Sequence, residues 1–96
     1  MTAYVTVQLE ITDQEVFGEY RQHAVAALAK HGGRPVKLAG SETLHDAGIG
    51  PSPSVLLAFP DAASVRAWIH DPDLAEVHAL RNRGARATIT LLEPAS

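Results

Sequence analysis

The chain has 96 residues, of which 46% are hydrophobic and 20% charged, with a formal net charge of −3 and no cysteine. One globular domain over residues 1–96 is the expectation at this size and composition. The missing cysteines exclude disulfides, thiol nucleophiles, iron–sulfur clusters and zinc knuckles, and scattered Lys and Arg on a net-negative chain argue against a nucleic-acid partner.

Met1 to Val7 has neither a basic region nor an apolar run of signal-peptide type, and no stretch is long enough to span a bilayer, so a cytoplasmic location without membrane contact is expected. Residues 3–11 alternate: Val5, Val7, Leu9 and Ile11 face one way, Tyr4, Thr6, Gln8 and Glu10 the other, as in a strand covered on one side. Thr12-Asp13-Gln14-Glu15 has capping-box spacing, with Thr12 as the predicted N-cap. The helix that follows carries Val16, Tyr20, Ala24, Ala27, Leu28 and His31 as an inward stripe, and Gly32-Gly33 ends it.

Arg34 to Leu38 reads as a second strand, continued after Gly40 by Glu42 to His45. Ala47 to Ser54 is a breaker-rich loop without the spacing of a phosphate-binding motif. Val55 to Phe59 is a buried strand stopped by Pro60, and a helix beginning near Asp61 turns Val65, Trp68 and Ile69 inward. Asp71-Pro72 restarts the helix as N-cap and N1 proline, placing Leu74, Val77, His78 and Arg81 on one face. Gly84 closes it, and Ala85 to Leu92 is the last strand.

The order β-α-β-β-α-β, with its second helix broken, predicts an α+β ferredoxin-like sheet with helices on one face. The uncovered face mixes Thr6, Gln8, Glu10, Arg86, Thr88 and Thr90 with Tyr4, Leu56, Ala58 and Leu92, which suits packing against a second copy, a homodimer, the alternative being a monomer with one wet face.

Several short matches in order carry a family resemblance over nearly the whole chain. They are Ala3-Tyr4-Val5, Tyr20, Gly32-Gly33-Arg34, Gly40 with Glu42, Phe59-Pro60, Ala67-Trp68 before Asp71-Pro72, Arg81 and Glu93. In these the chain resembles the small bacterial family catalogued as domain of unknown function thirteen-thirty, of the dimeric α+β barrel superfamily. Phe17, Ile69 and Leu74 stand where such sequences often carry tyrosine. The resemblance implies a homodimeric α+β barrel. Its wider relatives include cofactor-free monooxygenases, polyketide cyclases, muconolactone isomerases and haem-degrading enzymes.

His78 and Arg81 lie at i and i+3 on the inward stripe, so Arg81 is a candidate for holding a substrate carboxylate or enolate and His78 for moving its proton. The plainer alternative pairs Arg81 with Glu42, Glu93 or a main-chain carbonyl and packs His78 at the rim. His23, one turn from Tyr20, is a second candidate base with Tyr20 as donor, against the alternative of a surface pair with Glu19. Trp68, Phe17, Leu74 and Arg34 are candidate walls of a substrate pocket, the alternatives being core packing for Trp68, a pocket filled by Trp68, Leu74 and Phe17, and a solvent-facing Arg34. The i, i+4 spacing of Glu19 and His23 also suits two metal ligands, but no third is evident, and no nucleophile elbow or Walker sequence is present. The reading is a cofactor-independent isomerase, cyclase or monooxygenase acting on a small organic molecule. Its alternatives are a non-catalytic binding or assembly module and, more weakly, a haem binder.

Overall fold

The computed structural model describes residues 2–36, 42–48 and 54–93. Strand β1, Ala3–Ile11, follows the alternation of its sequence: Ala3, Val5, Val7 and Leu9 are buried and Tyr4, Gln8 and Glu10 exposed. Helix α1 spans Gln14–Ala29. Its N-cap is Asp13, not Thr12: the Asp13 carboxylate accepts from the Val16 amide at 3.1 Å. The amides of Thr12 and Asp13 both donate to the Gly84 carbonyl, at 2.9 and 3.0 Å, which delays the turn into the helix by one residue. Glu15 thereby stands in the first turn, where its charge suits the helix dipole, instead of closing a capping box.

At the other end, Gly32 takes φ +75°, its amide bonds the Ala29 carbonyl, and the Gly33 amide reaches the Leu28 carbonyl at 2.8 Å. This paired closure is a Schellman motif, which needs a left-handed residue where Gly32 stands. His31, at the end of the predicted stripe, is half-buried, and its Nε2 meets Asp71 Oδ2 at 2.8 Å.

Strand β2 is short, Arg34–Pro35, with the Val36 amide adding a bond to the Leu56 carbonyl. The predicted continuation through Lys37 and Leu38, the Gly40 match and residues 49–53 of the predicted loop lie outside the described residues. Glu42 to His45 form no strand and are exposed. Strand β3 is Ser54–Phe59 and helix α2 is Ala62–His70, capped by Asp61. A single 3-10 turn, Pro72–Leu74, then leads into helix α3, Ala75–Gly84, and strand β4, Ala85–Leu92. Asp71 caps the turn through the Asp73 amide, and Pro72 begins it, as expected of a residue lacking a donor.

The four strands form one antiparallel sheet in the order β2-β3-β1-β4. This is the ferredoxin-like α+β arrangement. Opposite the strand face that buries Val5, Leu57 and Phe59, the helices contribute Phe17, Leu28, Val65, Trp68 and Leu74 to one core. Gly84 fits there because it has no side chain: a Cβ would lie 2.7 Å from the Phe17 amide nitrogen and 2.9 Å from its Cα. No helix among the described residues is long and apolar enough to cross a membrane.

Candidate functional site

Between α1 and the sheet, the core is not filled. A half-open cavity of about 190 Å³ is floored by Val7 and Leu9 of β1, Val55 and Leu57 of β3 and Ile89 of β4. Helix α1 supplies one wall with Phe17, Tyr20, Arg21, Ala24, Val25 and Leu28, and Pro35, Trp68 and Arg81 complete the lining. The α1 positions step by three and one alternately, which is the inner face of a helix whose stripe runs through Phe17 rather than Val16.

Arg81 is the one buried charged residue among those described, only 6% exposed. Its partners are neutral. Nη1 donates to His78 Nδ1 at 2.9 Å and Nε to Asn82 Oδ1 at 3.3 Å. Neither expected acid is its partner: Glu93 binds Arg66 at 2.6 Å, and Glu42 is exposed. A guanidinium held away from water without a counter-ion is an unusual and costly feature, and here it borders an apolar space.

His78 does not line that space. Its Nε2–H donates to the Trp68 carbonyl at 3.0 Å, which fixes Nδ1 as the acceptor for Arg81. The imidazole is packed edge-on to the Trp68 ring, centroids 5.3 Å apart. Burial pushes its pKa below 6.5, and Arg81 pushes the same way against the pull of the Trp68 carbonyl and Asp71. Neutral His78 therefore braces Arg81 from behind, with both ring nitrogens engaged.

Tyr20 and Phe17 do share the cavity wall, their ring centroids 5.3 Å apart, and Trp68 borders it from α2 while packing 5.5 Å from Phe59. The Tyr20 hydroxyl has no hydrogen-bond partner among the described residues. Three other residues fall elsewhere. Leu74 is buried in the core rather than on the cavity lining. Arg34 pairs in register with Ala58 and is exposed on the uncovered sheet face, because the alternation that turns Pro35 toward the cavity turns its neighbour away. His23 is exposed, off the inner stripe of α1, and makes no hydrogen bond with Glu19.

Arg21 is the lining residue that sequence reading missed. Its guanidinium carbon lies 4.9 Å from the Phe17 ring centroid, a cation–π contact at the rim. The available signal was the helical phase, since a stripe drawn through Phe17 includes position 21. No group of three potential metal ligands occurs among the described residues.

A ferredoxin-like sheet with helices on one face and an arginine-bearing apolar cavity beneath them defines the class as an α+β protein. The chain belongs to the family described as Domain of unknown function (DUF1330), which it matches over residues 2–95. No functionally curated protein matches the sequence. Among solved structures, a protein of unknown function from Rhodopseudomonas palustris is similar at TM-score 0.76 and 16% identity, covering 99% of this chain and 83% of that one. SnoaB, a cofactor-independent oxygenase from Streptomyces nogalater, is similar at TM-score 0.69 and 11% identity, covering 99% and 94%. A dimeric ferredoxin-like protein of unknown function from a Jannaschia species is similar at TM-score 0.63 and 18% identity, covering 98% and 100%. These likenesses establish the fold.

Proposed function

We propose that the chain is a homodimeric α+β barrel that binds a small, largely apolar organic molecule in this cavity and acts on it without a prosthetic group. The observation that carries the reading is Arg81: a buried guanidinium with neutral partners only, bordering an apolar space. Such a group receives a carboxylate, enolate or phenolate oxygen, and it stabilises negative charge that develops there in a dry site. The cavity is only somewhat larger than an engineered one of about 150 Å³ that takes up benzene, so the ligand is of single-ring or short-chain size.

The reaction class that suits this geometry is proton rearrangement next to a carbonyl, or oxygenation of the substrate's own carbanion by dioxygen, the abstracted proton passing to water at the half-open mouth. In that chemistry Arg81 holds the developing oxyanion, the Tyr20 hydroxyl exchanges a hydrogen bond with the substrate, Trp68 and Phe17 sandwich its apolar body, and His78 is a positioning residue. The resemblance to a cofactor-independent oxygenase is in keeping with this class at the level of fold.

Binding without turnover is the second reading, favoured by one specific observation: among the described residues no histidine or carboxylate is on the cavity lining. Haem fits poorly because a cavity of about 190 Å³ is of single-ring size, too small for a macrocycle, and none of the lining residues described is a histidine, cysteine or methionine.

A melting-temperature screen against aromatic acids and 2-oxo acids tests the proposal. At least one ligand should raise the melting temperature of the wild type and fail to raise that of Arg81→Met, with far-UV circular dichroism unchanged. An equal shift in both proteins would remove Arg81 from the site.

A further inference from the structure

A second cation borders the cavity, and it too lacks a counter-ion. On α1, the residues three and four positions from Arg21 are Phe17, Gly18, Ala24 and Val25, so no carboxylate can reach it along the helix as an ordinary surface arginine would arrange. No ion pair or hydrogen bond engages its guanidinium among the described residues. What holds it is the Phe17 face, 4.9 Å away, and Phe17 is itself buried and part of the cavity wall. Val25, one turn further along, is 59% exposed and also lines the space, which places this stretch of α1 at the mouth.

The charge inventory of the cavity is therefore one-sided. Arg81 on the lining is buried and Arg21 exposed, and among the described residues no lining residue is an aspartate or glutamate. The rest of the described lining is mostly hydrocarbon, Val7, Leu57 and Ile89 among it. This stands out on a chain whose acids outnumber its lysines and arginines, eleven to eight. A neutral ligand would leave both guanidiniums uncompensated, and a simple monoacid would answer only one.

We propose that the ligand is a ditopic organic acid: acidic oxygens at both ends of a short apolar middle, the inner end received by Arg81 and the outer by Arg21. This rests on the reading of the cavity as a small-molecule site and specifies its substrate class. Arg21 is the specificity-determining residue, selecting diacids over monoacids, because an ion pair at a partly wet rim discriminates modestly while the buried pair supplies the anchor.

Titration calorimetry of the purified protein with succinate, adipate and suberate, against hexanoate and hexanol, reads the proposal directly. The best-fitting diacid should bind roughly fivefold more tightly than hexanoate, about what one rim ion pair contributes, and hexanol more weakly than either. Arg21→Met retains an apolar stem on Phe17 and good helix propensity. It should erase the diacid advantage and weaken hexanoate far less than the diacid, whereas Arg81→Met should weaken both acids by roughly tenfold or more. A diacid that binds no better than hexanoate, or an advantage that survives in Arg21→Met, overturns the ditopic assignment while hexanoate binding lost in Arg81→Met leaves the underlying site intact. If neither acid binds the wild type, both the assignment and the site reading are overturned.

Discussion

Arg81, His78 and the Trp68 carbonyl form a chain in which each hydrogen bond dictates the next. The carbonyl can only accept, so it takes the Nε2 proton; the opposite nitrogen then has a lone pair to offer, and the guanidinium can only donate. Protonating His78 would put a second N–H against Arg81, so the arrangement requires a neutral ring. Its folded pKa is depressed below 6.5, which makes the unfolded chain the better proton acceptor. The corresponding stability is fully present above 6.5 and is lost as pH falls through the lower folded value. The melting temperature should accordingly drop on acidification from neutral pH toward 5, in addition to any carboxylate effects. His78→Gln can donate to the carbonyl and accept from Arg81 without titrating, so it should flatten that part of the profile and keep ligand binding. His78→Ala should cost ligand affinity roughly tenfold, the equivalent of about 1.5 kcal/mol for a lost hydrogen bond to a charged group. The spacing of residues 78 and 81 was enough to turn both inward from sequence alone. Which of the two reaches the cavity was not legible, because helical phase gives a direction and not a depth. Sequence alone offers Arg34 as a pocket wall and passes over Arg21 for a related reason: each depends on the phase of an alternation or stripe, and an error of one residue moves a side chain to the wrong face.

At the level of elements, the junction between α2 and α3 illustrates what a sequence does carry. Asp71-Pro72 announces a restart because the proline has no amide to lose and the aspartate can accept one. The long-range part of the junction is absent from that signal. Asp71 Oδ2 also holds Lys30 Nζ at 2.7 Å and His31 Nε2 at 2.8 Å, tying the end of α1 to the break forty residues later. The Lys30 bond first, then the His31 and Asp73 bonds, hold the Asp71 carboxyl far below the usual 3.8. Stability from this knot is present above 3.8 and lost as pH falls further toward the folded value. Asp71→Asn should therefore melt lower than wild type at neutral pH, with the difference narrowing in strong acid. Gly84 makes the complementary point. Read from sequence it is a helix terminator, yet the residue after it, Ala85, is extended at φ −158° and needs no left-handed glycine. Its function is to let the end of α3 touch the start of α1, where the neighbouring atoms are backbone and cannot rotate aside. Gly84→Ala should lose about 1–3 kcal/mol of unfolding free energy in urea titrations, the usual cost of overpacking.

On the scale of the whole molecule, one face of the sheet is covered by helices and the other by nothing among the described residues. Cross-strand register places Tyr4 beside Leu92 and Ala58, and Thr6 beside Thr90 and Leu56, so the centre of the uncovered face is a band of hydroxyls and hydrocarbon. Tyr4 is 43% and Leu92 47% exposed, large apolar groups that a solitary sheet would leave in water. The similar Jannaschia protein is described as dimeric, and a second copy of this chain is the partner proposed here. A two-fold interface uses the same patch twice, so one charged substitution at its centre introduces two charges that face each other's surroundings. Leu56→Glu is the sharpest such change, because Leu56 is half-buried mid-sheet and its neighbour across β1 is Thr6, not a base. Light scattering should give the wild type twice the 10.2 kDa chain mass and the variant the chain mass itself. The cavity lies on the helix side of the same sheet, where Val55 and Leu57 point opposite to Leu56, so the monomeric variant should still bind the diacid that the wild type binds. A wild type that scatters as a single chain would remove the dimer, and a monomeric variant that loses the ligand would make the second subunit part of the site.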